Sequence, residues 1–245
     1  MKAIAVTWKA RDGLLISPVL EALGVVAGFT TRAQGSMAGS VHPLEEQARN
    51  REALARRLGF EAIARVKQVH GNTVVHVTGP ADPWPVADAL WSDRSGLLLS
   101  VAAADCVPIL VADRRSGRVG AAHAGLQGTL VEVAVALVRA LVADGAEPSS
   151  LVAALGPSIG PCCYDIGRER ASVLATQHEH LRERDGKIFF DLWSANAAQL
   201  AACGLRDIEI AGICTKSGGQ DLWSYRARDP QGRYGTQLGF IGRRS

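Results

Sequence analysis

The stretch "GLLLSVAAADCVPILVAD", residues 96–113, limits what this chain can fold into more than any other. A strand with one face in water alternates apolar and polar residues, whereas this run is apolar almost throughout. It therefore predicts a pair of strands in a sheet covered on both faces. Pro108 has no N–H to give to a ladder, so the run is expected to split near Asp105, leaving Asp105 and Cys106 at a sheet edge or break. "GRVGAAHAG", "SLVAALG" and "IEIAGIC" have the same apolar character, and "VVHV" (74–77) reads as a further strand. "KQVHGNTVV" (67–75) reads as a strand entering a tight turn, with His70 held between an apolar residue and a glycine.

Helices are expected to cover this sheet system. "LEEQARNREALARRL" lies between Pro43, suited to a first helical position, and Gly59, suited to a stop, and puts Leu44, Ala48, Leu54 and Leu58 near one face. "TLVEVAVALVRALVADG" is apolar nearly all round and predicts a buried helix ending at Gly145. Weaker patterns predict helices over "LWSANAAQLAACG" and over 167–182. With no internal repeat, low-complexity tract or linker, residues 1–245 read as one mixed α/β (α+β) domain with central mixed sheets flanked by helices.

Composition narrows the function classes. Hydrophobic residues make up 47% of the chain, enough for a sizeable core, and the net charge of +3 comes without a basic run that could track a phosphate backbone. Nucleic acid and membrane are therefore not expected partners, since no segment reaches the apolar length of a span. The amino-terminal "MKAIAVTWKARDG" meets charge before reaching signal-peptide length, so a cytoplasmic location is expected. The five cysteines, Cys106, Cys162, Cys163, Cys203 and Cys214, are odd in number and form no CxxC pair, which predicts reduced thiols and no local zinc knot. Any metal site must then be assembled from distant segments.

Three places concentrate unusual residues. Asp105 and Cys106 interrupt an apolar run; His123 sits among small residues in "GAAHAG" just before a helix; and "LGPSIGPCCYDIG" carries the punctuation of a loop that shapes a pocket. Taken singly, Cys106 reads as a small core residue and His70 or His123 as a hydrogen-bonded structural histidine. Taken jointly, one thiolate and two imidazoles supply three ligands to a tetrahedral zinc and leave its fourth position open. Spacing alone does not bring them together. His178 and His180 read as solvated, His76 as exposed, His42 as a helix-end residue, and Cys203 and Cys214 as core.

The combination "GFTTRAQG", "KQVHG", "DAL", "ADCVPILVAD", "GAAHAG", "LGPSIGPCCY" and "SYRARDPQGRYGTQLGFI" resembles the multicopper-laccase-like, or peptidoglycan-editing-factor, family of purine nucleoside phosphorylases, from about residue 25 onward. The resemblance implies a laccase domain of the cytotoxic-necrotizing-factor-like cysteine hydrolase type. It also implies a zinc ion on His70, Cys106 and His123, which would be catalytic, and phosphorolysis of adenosine, inosine, guanosine or methylthioadenosine with adenosine deamination as a second activity. Arg32 and Arg226 are the candidates for phosphate. Gln68 is placed to touch substrate or orient a ligand, and Asp88 to fix a second hydrogen bond behind a metal ligand. Monomer or small homo-oligomer remains open, and copper could compete for the same donors.

Two departures and two rivals accompany the resemblance. Relatives read HAGWRG where this chain has "HAGLQG", so Leu126 and Gln127 replace a tryptophan and an arginine, and the segment "SMAGSVHP" is shorter than in relatives. Loss of that arginine would weaken phosphate binding if it touches the anion. One rival is a cysteine hydrolase acting on peptidoglycan precursors, with Cys106 as nucleophile and His123 as base. The other is a copper polyphenol oxidase, which six scattered histidines supply poorly.

Overall fold

The computed structural model describes residues 8–172, 174–219 and 221–245, so residues 1–7, on which the reading of an absent export signal rests, lie outside it. The chain begins with β1 (Lys9–Arg11), β2 (Leu14–Ile16), helix α1 (Pro18–Glu21) and β3 (Val26–Thr30), followed by α2 (Leu44–Leu58) and β4 (Ala62–Ala64). Five strands come next: β5 (Val74–His76), β6 (Ala89–Ser92), β7 (Leu97–Ala103), β8 (Val107–Asp113) and β9 (Val119–Ala124). After α3 (Leu126–Leu130) and α4 (Val133–Ala143) come β10 (Leu151–Leu155), α5 (Gly167–Ser172), β11 (Leu181–Arg184) and β12 (Lys187–Phe190). The chain finishes with α6 (Leu192–Ala202), β13 (Asp207–Ile210) and β14 (Gln237–Gly242).

Two six-stranded mixed sheets result, ordered β1-β2-β3-β14-β7-β4 and β13-β10-β8-β9-β6-β5. The apolar run that opened the sequence reading is explained by what covers each face. Val107, Ile109 and Val111 of β8 face α4 and α6, while Leu110 and Ala112 face the other sheet. β10 does the same, with Leu151, Ala153 and Leu155 on the helix side and Val152 and Ala154 between the sheets. On the far side of the first sheet, Leu98, Leu238 and Phe240 pack on Leu54, Ala55 and Leu58 of α2. The layers are therefore helix, sheet, sheet, helix, and the central strands have no wet face to mark with polar residues.

The helices follow local chemistry. α2 carries Glu45 and Glu46 in its first turn and Arg56 and Arg57 in its last, complementing the helix dipole, and stops at Gly59 with φ +81°. Its Pro43 is the N-cap residue, one position before the expected first helical one. The apolar segment after "GAAHAG" is not one helix: Glu132 adopts φ +60° and breaks it into α3 and α4, which lets the short α3 turn against His123 while α4 lies along β9.

Several local expectations change. Residues 67–70 form a loop whose one ladder bridge is Lys67↔Val86, not a strand, because Val69 and His70 spend their N–H groups on a side chain described below. The helix expected over 167–182 is α5 followed by a 3-10 turn over Ala175–His180. His180 is buried rather than solvated, with Nδ1 2.8 Å from Ser194 Oγ, whereas His76 is exposed and stacked on Trp91. Cys203 is only half-buried at the end of α6. Among the described residues no helix is long and apolar enough to cross a membrane.

Candidate functional site

Between residues 103 and 107 the chain leaves the first sheet and enters the second, which is the break expected at Asp105 and Cys106. Asp105 makes this crossing at φ +90°, a costly conformation for a residue with a Cβ. Its surroundings fix it there. Thr215 Oγ1 donates to Asp105 Oδ1 (2.6 Å), the Arg226 N–H donates to Oδ2 (2.8 Å), and the Ile159 N–H donates to the Asp105 carbonyl (2.9 Å). Cys106 is thereby presented at the start of β8, between the two sheets.

His123 reaches the same point from β9, where it pairs in register with Pro108. Behind it lies Asp88, fully buried one residue before β6. Asp88 Oδ1 is 3.0 Å from His123 Nδ1, which places the ring proton on that nitrogen and leaves Nε2 for Cys106. The same carboxylate accepts the N–H groups of Val69 (3.0 Å), His70 (2.9 Å) and Gly71 (2.7 Å). One buried anion thus orients one histidine and folds the loop that carries the other, and His70 takes φ +61° within that loop. The expected second hydrogen bond of Asp88 is one of four.

His70, Cys106 and His123 offer ligand atoms that all lie within 4.8 Å of one another. The two imidazoles meet edge to face at 4.8 Å between centroids. Gly125 leaves the space between them open: a Cβ there would sit 2.7 Å from Cys106 Sγ and 3.3 Å from His70 Cδ2. Burial pushes the Cys106 thiol up, but His123 and then His70 outweigh it and bring the thiol down to about 6. Burial likewise opposes charge on His123, yet the Cys106 sulfur and Asp88 raise it to about 9. Burial would lift the Asp88 carboxyl, and its hydrogen bonds to His123, Gly71 and Val69 hold it below the usual range. Each group of the pair thus favours charge on the other.

The triad forms the floor of a cleft of about 680 Å³. Arg226 lines it, with Nη1 donating to the Asp165 carbonyl (3.0 Å) and the guanidinium 5.0 Å from the Tyr164 ring centroid. Arg32 does not line it. Its guanidinium stacks on Trp223 at 4.3 Å, donates to the Leu222 carbonyl and pairs with Asp221 at 3.5 Å. Gln68 lines the cleft, but its amide is committed to the backbone of Ala102, donating to the carbonyl and accepting the N–H at 2.8 Å each. It behaves as an extra rung on β7 and anchors the His70 loop, leaving one amide N–H and one oxygen lone pair uncommitted.

Sequence reading missed Arg65, Lys67 and Arg170 as cleft cations and Tyr164, Tyr225 and Tyr234 as its phenols. Arg65 lies over Trp84 at 3.8 Å, and burial followed by the charge of Arg51 lowers it to about 10. Tyr225 and Tyr234 lie within quoted motifs and meet edge to face at 5.0 Å, a signal that aromatic spacing could have carried. No sequence pattern marks Arg65. Leu126 packs toward the helical core and Gln127 is exposed, and neither of the two replaced positions of "HAGLQG" lines the cleft.

Comparison with known proteins agrees with this geometry. "Purine nucleoside phosphorylase" of Deinococcus radiodurans is 39% identical over 240 residues, covering 92% of each chain. "Purine nucleoside phosphorylase YlmD" of Geobacillus stearothermophilus is 34% identical over 251 aligned positions, covering 90% of this chain and 91% of the relative. The crystal structure of YlmD from that organism superposes with a TM-score of 0.85 at 31% identity, covering 98% of this chain and all of its own. That of YfiH from Bacillus licheniformis gives 0.82 at 26% identity, covering 96% and 97%. The profile described as "Multi-copper polyphenol oxidoreductase laccase" matches residues 26–244, nearly the whole length that forms both sheets and the cleft, and the chain belongs to that family.

Proposed function

We propose that the chain is a zinc-dependent purine nucleoside phosphorylase, cleaving adenosine, inosine, guanosine or methylthioadenosine with phosphate, and that it also deaminates adenosine. The observation that carries this reading is a floor of two imidazoles and one thiolate beneath a wall of guanidinium and phenol groups. The names of the relatives support it. The donor set suits zinc, since imidazole and thiolate are its ordinary ligands and Gly125 keeps the space between them clear. Copper would compete for the same donors.

His70 Nε2 or Nδ1, Cys106 Sγ and His123 Nε2 would hold the ion. When bound, zinc supplies Lewis-acid chemistry, polarising an oxygen or nitrogen and making water a stronger acid. Asp88 keeps the proton of His123 on Nδ1 and so keeps Nε2 free of it. Arg226 has donors left after its bond to Asp165, and with Arg170 and Lys67 it binds phosphate against the sugar. The Tyr164 hydroxyl, raised first by burial and then by the Cys106 thiolate, stays protonated at neutral pH and can donate to a purine nitrogen as negative charge builds on the leaving base. Tyr225 and Tyr234 present ring faces and edges for the base itself.

The test is elemental analysis of the purified protein and of Cys106→Ala, with adenosine turnover followed by chromatography with and without phosphate. The expected result is loss of about one zinc per chain with the substitution, together with loss of phosphate-dependent adenine release and phosphate-independent inosine formation. Unchanged metal content and unchanged turnover would sink the reading.

The arrangement Asp88–His123–Cys106 also favours a second reading, a cysteine hydrolase on peptidoglycan precursors, because carboxylate, imidazole and lowered thiol stand in orienter, base and nucleophile order. Alkylation separates the two. In chelator-treated protein the rate of Cys106 reaction with iodoacetamide should rise with pH through about 6 and then level, as the thiolate fraction does. Under the zinc reading, adding zinc abolishes that reaction; under the hydrolase reading the activity survives chelation and is lost on alkylation.

A further inference from the structure

The loop "LGPSIGPCCY" holds a second group of potential ligands that the nucleoside chemistry does not use. Cys162, Cys163 and Cys214 present three sulfurs within 4.8 Å of one another, from two segments far apart in the chain. Cys162 Sγ is 3.7 Å from Cys163 Sγ and 3.5 Å from Ser217 Oγ. The Gly160 N–H donates to Cys214 Sγ at 3.3 Å, and the backbone N–H groups of Lys216 and Ser217 also bond this sulfur. Such N–H···S bonds are the outer partners that hold a thiolate in place behind a metal. Burial falls from Cys214, which is buried, to Cys163 and then to Cys162, which is exposed and gives an entry path.

The two segments are already in register. Ser158 and Cys214 form a parallel bridge, and the Ser158 N–H donates to the Ile213 carbonyl at 3.2 Å. The turn that follows is closed by the N–H groups of Cys163 and Tyr164, both donating to the Gly160 carbonyl (2.9 and 3.0 Å). The site is thus built on backbone held independently of any ion, with no carboxylate or imidazole among its donors.

We propose that Cys162, Cys163 and Cys214 form a second cation site, an all-thiolate cup for a soft d10 ion, cuprous copper or zinc, which staples the loop carrying Tyr164 to the segment carrying Thr215. Three sulfurs without harder donors suit these ions and exclude magnesium or calcium. Binding expels the thiol protons and adds two bonds from the loop of Cys162 and Cys163 and one from Cys214, across segments that otherwise meet through backbone bonds and the Cys162–Ser217 and Gly160–Cys214 contacts.

The test uses the full chain, reduced and metal-free, titrated with cadmium(II) and followed by the ultraviolet thiolate-to-cadmium absorption. Cys106→Ala should retain the absorption of three thiolates in one equivalent, because the nucleoside site contributes a single sulfur. Adding Cys162→Ala should cut that to two thiolates and weaken binding by more than the ~10–100-fold that loss of an outer partner costs a metal site. Circular dichroism of the Cys162 variant checks the fold, and the exposed position makes it a mild change. Competition of cuprous bicinchoninate and of zinc against bound cadmium then tells which ion is preferred. Cys106→Ala protein showing no thiolate absorption beyond that of one sulfur would overturn the proposal. That outcome leaves the zinc lost on Cys106→Ala untouched, so failure here and failure of the nucleoside reading are separable.

Discussion

The floor and the rim of the cleft are built by opposite rules. On the floor, Asp88 and His123 are 0% and 4% exposed, every acceptor of the carboxylate is filled, and the loop bearing His70 is pinned at both Gln68 and Gly71. On the rim, Tyr225 is 45% exposed, Lys67 and Arg170 reach into solvent, and Arg226 spends one guanidinium bond on a carbonyl. A buried polar network tolerates few changes because each lost partner leaves another group orphaned. A solvated rim tolerates many, since water replaces what a substitution removes. Geometry is therefore fixed around Asp88 and His123, while His70, though exposed, is held through its backbone, and the rim is free to change.

The comparison is broken most severely at Asp88. Asp88→Ala orphans three backbone N–H groups and a histidine ring, and should cost about 3–5 kcal/mol in urea unfolding; a cost under 1 kcal/mol would show that the floor is not one unit. Next is Gly125→Ala, whose φ of −80° admits alanine but whose new methyl enters the space between Cys106 and His70. In a Cys162→Ala background, which sets aside the thiolate cup, metal retained after dialysis should fall at least ~10-fold while the metal-free chain keeps its unfolding free energy in urea within ~1 kcal/mol. Equal metal content in both proteins would place the ion elsewhere.

At the rim the effects should be smaller and confined to substrate. Arg226→Lys removes the planar fork, and the KM for phosphate should rise by roughly tenfold or more with kcat changed less; a larger fall in kcat than rise in KM would move Arg226 into the reacting centre. Smallest of all, Arg32→Ala breaks the contacts with Asp221 and Trp223 and one hydrogen bond to the Leu222 carbonyl, all outside the cleft, so it should leave the phosphate KM unchanged and cost about 1 kcal/mol. A rise in KM there would return Arg32 to the phosphate site.

Much of the central layering was legible in the sequence, and the reason is burial on two faces. β7, β8 and β10 are written in nearly continuous apolar residues, and the change of sheet falls at residues 104–106, before Pro108, which lies inside β8 rather than interrupting it. β3 and β14 were missed because their glycines mask the pattern. Gly28 lies where a Cβ would be 2.5 Å from the Leu15 carbonyl, and Gly239 where one would meet Pro108 Cβ at 2.5 Å, so close sheet packing selects glycine over strand formers. The break at Glu132 was hidden because the periodicity continues through it. Residue type pointed to His70, Cys106 and His123, and the family resemblance named them together; the cleft cations were invisible because Arg65, Lys67 and Arg170 differ from other surface cations only in where the fold puts them. His180 was misread for the same reason, since only packing tells its environment from that of His178.

The position of β14 has a consequence for synthesis. It is the last strand in the chain and it lies in the middle of its sheet, between β3 and β7. A ribosome releasing the chain from its amino end therefore holds two unpaired strand edges apart until residues 237–242 emerge. Those open edges are templates for pairing with another nascent chain. β7 carries the backbone of Ala102 on which Gln68 seats the His70 loop, so an ion offered before β14 arrives finds one of its three ligands on an unfinished sheet. The proposed metal site is therefore complete only once β14 has joined β3 to β7.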